Sequence, residues 1–362
     1  MKPYIKKTVL SLALVFSFIV QMLSFSACSS KNETVLEYKG YTIDKETYAY
    51  WFYVLEEYYT SYYSDIKDTP EFWNKEYADG ESYGEYMNKT IKNQISCYLI
   101  SQHLFDEYKL KLTDDKIAEI DETINSQIEY YGSKAAFNKE LEQYGINVGK
   151  LRKIYMMEEK FITVKTYLYD TKTGIEKPTE EDKKEYYQNN YARINYLMVL
   201  RNKEYAYDEN GKHITDANGF YTYVDLTDEQ KKEKTEYANK VLEEVKNGAD
   251  IKKYIKKDNP DSVQENGYYV TADDYVIHTA DIINATFEME IGSTILVSNE
   301  DAYFILQRYE LIPGAYNLSA EKANFHYFET YVAADKFNKK FEELMKEVVK
   351  QPYADTLSVI NN

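Results

Sequence analysis

Two changes of texture along the chain constrain its fold more than any single motif. Up to about Asn190 nearly every stretch reads as helix. From "RINYLMVL" to Pro313-Gly314, short extended runs alternate with helical ones. A helical stripe then returns in "SAEKANFHYFETYVAADKFNKKFEELMKEVVK", with Phe325, Phe328, Val332, Phe337, Phe341, Leu344 and Val348 at helical spacing. The pattern predicts one long amphipathic helix, which gains most of its stability from packing on a partner. The last segment contains no such partner, so it is expected to return to the helices of residues 44–170. The fold class that follows is α+β, with mainly helical stretches at both chain ends and mixed strands and helices between them.

The helical part carries its own punctuation. "VLEYKGYTI" reads as two extended runs around a Lys39-Gly40 turn, and Asp44 can cap the helix that follows. Thr113 and Gly132 bracket one later helix, and another ends at Gly145. A long one starts near Asn147 and runs toward Tyr169. Thr179 with Asp182, and Thr227 with Gln230, have the spacing of capping boxes. Residues 203–226 hold two Asp-x-Asn-Gly units, "DENG" and "DANG", which read as hairpin turns. A calcium loop is the alternative, but the EF-hand pattern needs Gly at its sixth position and His213 stands there, counted from Asp208.

Tyrosine is used in unusual excess, 40 against 15 Phe. "YAYWFYVLEEYYTSYYSD", from Tyr48 to Asp65, shows how. Tyr48, Trp51, Phe52, Leu55, Tyr59 and Tyr62 recur at spacings of three and four, a core stripe in which Tyr replaces Leu and keeps a hydroxyl at the rim. Glu56 falls off this face. Tyr50, Tyr53 and Tyr58 also fall off it and are the candidates to touch a ligand.

The formal net charge of −17 over 362 residues argues against a nucleic-acid partner, which needs a basic face. Lys2, Lys6 and Lys7 precede an apolar run from Thr8 to Val20, and Ser26 and Ala27 stand before Cys28. Residues 1–27 therefore read as an export signal, with an uncleaved anchor helix as the alternative. The Cys after the small residues is similar to a bacterial lipobox, although Phe25 departs from the usual small or branched residue. Acylation of Cys28 implies a chain lipid-anchored to the cell membrane and held outside the cytoplasm. Cys97 would then be the one thiol left, in a helical stretch where an inert core role is expected. No pattern calls for a metal or a cofactor.

The order of these parts resembles the exported foldases of the SurA/PrsA group, which carry a parvulin-type peptidyl-prolyl isomerase domain. "EYKGYTIDKETYAYWFYVL" is similar to the family's opening. "KLTDDKIAEIDETI" and "KPTEEDKKEYYQNN" are similar to its inter-helix phrases. "ARINYLMV" stands at the place of the first parvulin strand, "VLEEVKNGADIKKYIKK" at the helix after it, and "DSVQENGYYV", "ATFEMEIGS" and "DAYFILQRYEL" at its last elements. The resemblance implies a helical chaperone module in residues 28–189, a parvulin-like domain in 190–313 with a hairpin insertion near 203–226, and a C-terminal segment, 314–362, returning to the first module.

It also implies a site, and there the chain departs. The first-strand histidine of active parvulins is Tyr196 here, and the last-strand histidine is Phe304, while the acidic position is kept as Asp261. None of the four histidines falls on a motif position. The resemblance therefore implies a membrane-tethered chaperone that binds unfolded or extended exported polypeptides, with a degenerate parvulin site that lacks strong isomerase activity. An isomerase with an altered site is one alternative. A solute-binding lipoprotein is another, disfavoured because alternating strand and helix units of a doubly wound sheet are missing.

Overall fold

The computed structural model describes residues 33–62, 66–78, 80–258, 264–272 and 280–360. Cys28, Asp261 and His278 lie outside them. The chain opens with strands β1 (Thr34–Tyr38) and β2 (Tyr41–Asp44), then helices α1 (Lys45–Tyr62) and α2 (Pro70–Trp73). A small hairpin, β3 (Glu76–Ala78) and β4 (Glu81–Ser82), leads into helices α3 (Tyr83–Glu107), α4 (Asp114–Tyr130), α5 (Lys134–Leu141), α6 (Val148–Tyr169) and α7 (Glu180–Asn190). The middle holds β5 (Tyr191–Leu200), β6 (Lys203–Tyr205), β7 (Tyr223–Asp225), α8 (Asp228–Lys246), α9 (Ile251–Asp258), β8 (Tyr268–Thr271), α10 (Ala280–Glu288), β9 (Thr294–Ser298) and β10 (Ala302–Tyr309). Helix α11 (Phe328–Met345) and strand β11 (Val349–Lys350) close it. The chain divides into two compact units, one taking in everything to Lys177 together with Ala333 onward, the other Pro178–Val332. These breakpoints differ from residues 190 and 314, because α7 and the first turn of α11 pack with the middle unit's own rings, as Tyr187 against Phe328.

The first unit is a helical core with a three-stranded antiparallel sheet, β11-β1-β2. Lys39 and Gly40 form the tight turn with positive φ, and Asp44 caps α1 by accepting from the Thr47 amide at 3.0 Å. Trp51, Phe52, Ile95, Leu99, Leu151, Ile154 and Val164 share one hydrophobic core with Phe337 and Phe341 of α11. Phe337 meets Phe161 and Tyr169 edge-on. Lys340 bonds Glu176 at 2.9 Å, and Glu176 also accepts from the Tyr169 hydroxyl.

Two expectations are corrected in this unit. Tyr50 is 1% exposed, not on the solvent side of α1. It packs edge-on against Tyr144 and is hydrogen-bonded to Tyr155. Tyr50 sits about 200° round the helix from Tyr48, so α1 is covered on two sides rather than one; Glu56, at the edge of the core stripe, is buried as well. The C-terminal stripe is also not one helix. Residues 315–317 and 319–321 form 3-10 turns, the helix proper is α11, and Val348 leads into β11. β11 pairs with β1, Leu36 opposite Lys350 and Glu37 opposite Val349, which covers a strand edge that would otherwise be open. The stripe is divided as well: Phe325, Phe328 and Val332 belong to a core of the middle unit, Phe337 and Phe341 to that of the first.

The middle unit is built on a four-stranded antiparallel sheet, order β8-β5-β10-β9. Ile282 and Ile283 of α10 cover one face; Val241 and Val245 of α8, with Ile251 and Ile255 of α9, cover the other. Both capping boxes are formed, Thr179 with Asp182 at α7 and Thr227 with Gln230 at α8. In the hairpin insertion Gly211 and Gly219 adopt positive φ. Asp208 Oδ1 accepts from the Asn210 and Lys212 amides, and Asp216 Oδ1 from those of Asn218 and Phe220. These carboxylates serve their own turns.

Candidate functional site

Strand alternation builds the first candidate site. Even-numbered residues of β5 and β10 face α10, and odd-numbered ones face α8 and α9. Tyr196 lies opposite Leu306, and Phe304 opposite Met198, so the two motif positions are diagonal neighbours on one face. Their ring centroids are 6.4 Å apart. Tyr268 of β8 adds a third ring 5.4 Å from Tyr196. Gly267 sets this strand against β5: its φ is +80°, and a Cβ would meet the Ile194 carbonyl at 2.7 Å, so any side chain there would push β8 outward.

The chemistry of this face is narrow. Burial first, and Tyr268 second, push the Tyr196 phenol up to about 12. It stays protonated at neutral pH, able to donate or accept a hydrogen bond but not to act as a base. Phe304 is buried and has no polar atom. The buried hydroxyl of Thr286 is committed to the Ile282 carbonyl at 2.7 Å. Among the described residues, the face offers an apolar surface and two phenols, those of Tyr196 and Tyr268.

The tyrosines of α1 do not form a second site. Tyr50 is enclosed, and Tyr53 is half-buried beside Phe52 and Tyr144. Tyr58, 39% exposed, packs edge-on with Tyr59 and alone of the three presents its ring to solvent.

The sequence reading passed over a cleft in the middle unit. About 570 Å³ in volume, it is walled by Tyr186, Asn190 and Tyr191 near the α7–β5 junction, Tyr269 and Thr271 of β8, Phe287 of α10, and the segment 323–331. Tyr269 and Phe325 lie 4.9 Å apart, Tyr191 and Phe325 5.4 Å, and Tyr186 and Phe328 5.9 Å. The signal was present in "EYYQNNY" and "NFHYFETY", where aromatic and amide residues crowd together and Tyr327 and Tyr331 fall off the core stripe at a four-residue spacing.

Sheet, covering helices and ring-lined face define an α+β protein whose middle unit is an antiparallel sheet covered on both sides. Several solved foldase structures are similar to it. The PrsA structure from Bacillus subtilis is 17% identical, with 74% of this chain and 87% of that one covered and a TM-score of 0.23. The peptidylprolyl isomerase PrsA from Bacillus cereus is 16% identical over 76% and 90%, at 0.27. The foldase protein PrsA from Lactococcus lactis is 13% identical over 89% and 96%, at 0.23. No family model and no curated protein matches the chain.

Proposed function

We propose that this protein is an exported chaperone that holds unfolded or extended polypeptides and isomerises prolyl bonds weakly at best. The sequence resemblance to the SurA/PrsA group supports the class. The observation that carries the second half is the Tyr196–Phe304–Tyr268 face. Rotation about a peptide bond faces a barrier of about 18–20 kcal/mol. A face with a phenol held protonated and a phenylalanine in the two histidine positions can bind an apolar residue but offers little to polarise the amide. The test is to time both activities on one preparation: suppression of client aggregation, and cis/trans exchange of a short prolyl peptide. Strong isomerisation without holding would overturn the reading.

The membrane tether rests on "FSAC" and the apolar run before it. Among the described residues no helix is long and apolar enough to cross a membrane. Metabolic labelling with a clickable fatty acid should tag the wild-type chain and not Cys28→Ser. Equal label in both would remove the lipid anchor from the proposal.

A further inference from the structure

We infer that the aromatic cleft of the middle unit binds an extended, uncharged polypeptide segment along β8, at a place separate from the Tyr196–Phe304 face. The inference rests on the chaperone reading and gives it a docking site.

Three observations point this way. Among the described residues, none of the fifteen that line the cleft is Asp, Glu, Lys or Arg, in a chain where 29% of residues are charged. A charged segment would lose its hydration there with no counter-charge to replace it. Rings and side-chain amides line the walls, the usual combination for holding an apolar side chain while its main chain keeps hydrogen-bond partners. The volume, about 570 Å³, falls in the ~300–1,000 Å³ range of ligand clefts.

The second observation is the cleft's place on the sheet. β8 is a terminal strand, and among the described residues no other strand pairs with its outer side. Tyr269 packs with Tyr187, Phe325 and Phe328, whereas Phe287 of α10 belongs with Val270, Ile282 and Phe304 on the opposite face. A cleft lined by both reaches round the β8 edge. A strand edge is a row of main-chain donors and acceptors, which an extended peptide satisfies and a sugar or small solute does not.

The third is the distribution of burial. Phe325 and Phe328 are core residues that fix the floor, while Tyr327 is 59% and Tyr331 49% exposed. His326 and Tyr327, both exposed, stand edge to face, 4.4 Å apart. Tyr269 is 7% exposed, and its hydroxyl has no hydrogen-bond partner among the described residues. Large rings kept in water beside a finished core are the pattern of a binding surface.

The experiment uses the full chain and four fluorescent probes: a neutral ten-residue peptide rich in Pro, Val and Tyr; the same peptide with two Asp; its backbone N-methylated form; and a neutral oligosaccharide. The neutral peptide should bind, with each of the other three at least tenfold weaker. Tyr327→Ser with Tyr331→Ser, both at exposed positions, should weaken the neutral peptide about tenfold, whereas Phe220→Ser on the hairpin insertion should not. Oligosaccharide binding that equals or exceeds that of the peptide would overturn the inference, as would unchanged peptide affinity in the Tyr327/Tyr331 variant. If that affinity is unchanged while wild type still suppresses client aggregation, the cleft assignment fails and the chaperone reading stands. If the peptide binds in the cleft but aggregation is not suppressed, the reverse holds.

Discussion

At the residue scale, enclosure decides chemistry. Glu158 accepts a hydrogen bond from the Trp51 indole at 2.7 Å, and its carboxyl lies among the rings of Tyr50, Tyr98 and Tyr155. Burial pushes it up to about 7, and the indole offsets only part of that rise. A carboxyl raised in the folded state keeps a proton that the unfolded chain has released. Its contribution to stability is therefore full only below the ordinary carboxyl value and is lost as pH rises through about 7. At about 1.4 kcal/mol per pKa unit the loss is at most about 3 kcal/mol. Glu158→Gln should match wild type in thermal unfolding at pH 4 and exceed it at pH 8. A difference that stays constant across that range would refute the assignment. Tyr50 carries the second residue-scale prediction. By the period of α1 it falls off the core stripe. Enclosed as it is, Tyr50→Ala should cost about 3–5 kcal/mol in denaturant unfolding, in line with other large core truncations. A loss below about 1 kcal/mol would return the ring to the surface.

Element-scale features divide by how local their cause is. Asp44, Thr113, Thr179 with Asp182, Thr227 with Gln230, and the Asp-x-Asn-Gly turns were legible because each bonds atoms within four residues of itself. The residue stripe of α1 was legible on one side only. The second covering, by Tyr144 and Tyr155, comes from residues about a hundred positions away and leaves no mark on the period of α1. The C-terminal stripe misled for a related reason. Phe325, Phe328 and Val332 share a period with Phe337 and Phe341, yet the two sets enter different cores. Periodicity reports that a face is buried, not against what. Tyr196 and Phe304 were reached through the family resemblance, and strand pairing brings them together; the cleft was not legible, since its walls come from four separate segments. The end of the chain supplies the test at this scale. β11 covers the β1 edge, the Tyr48 hydroxyl donates to the Ala354 carbonyl at 3.1 Å, and Val359 is buried in the same core. Truncation after Met345 should therefore lower the melting temperature markedly and raise amide exchange in β1. An unchanged melting curve would show that the tail is dispensable.

For the whole molecule, the question is whether holding a chain and turning its prolyl bonds are one activity or two. The units have separate hydrophobic cores, Phe337 and Phe341 serving one, Phe304 and Leu306 another. The Tyr196–Phe304 face lies wholly within the middle unit, as does the ring-lined cleft. A chaperone surface needs area and wettability, which exposed tyrosines supply; an isomerase needs a polar group aimed at a twisted amide, which Phe304 cannot be. The expected outcome is a split. The wild-type chain should suppress aggregation of an unfolded client at near-stoichiometric ratios. It should barely change the exchange time of a short prolyl peptide, which is tens to hundreds of seconds uncatalysed and so readily followed. Tyr196→Phe removes the phenol at the first-strand motif position while keeping its ring, and it should leave aggregation suppression intact. If wild type instead accelerates exchange strongly and Tyr196→Phe abolishes the acceleration, the phenol has replaced the imidazole and the protein is an enzyme. Asp261→Ala then decides whether the acidic position works with it: a further loss of rate in that variant, with holding unchanged, would place both residues at the reacting bond.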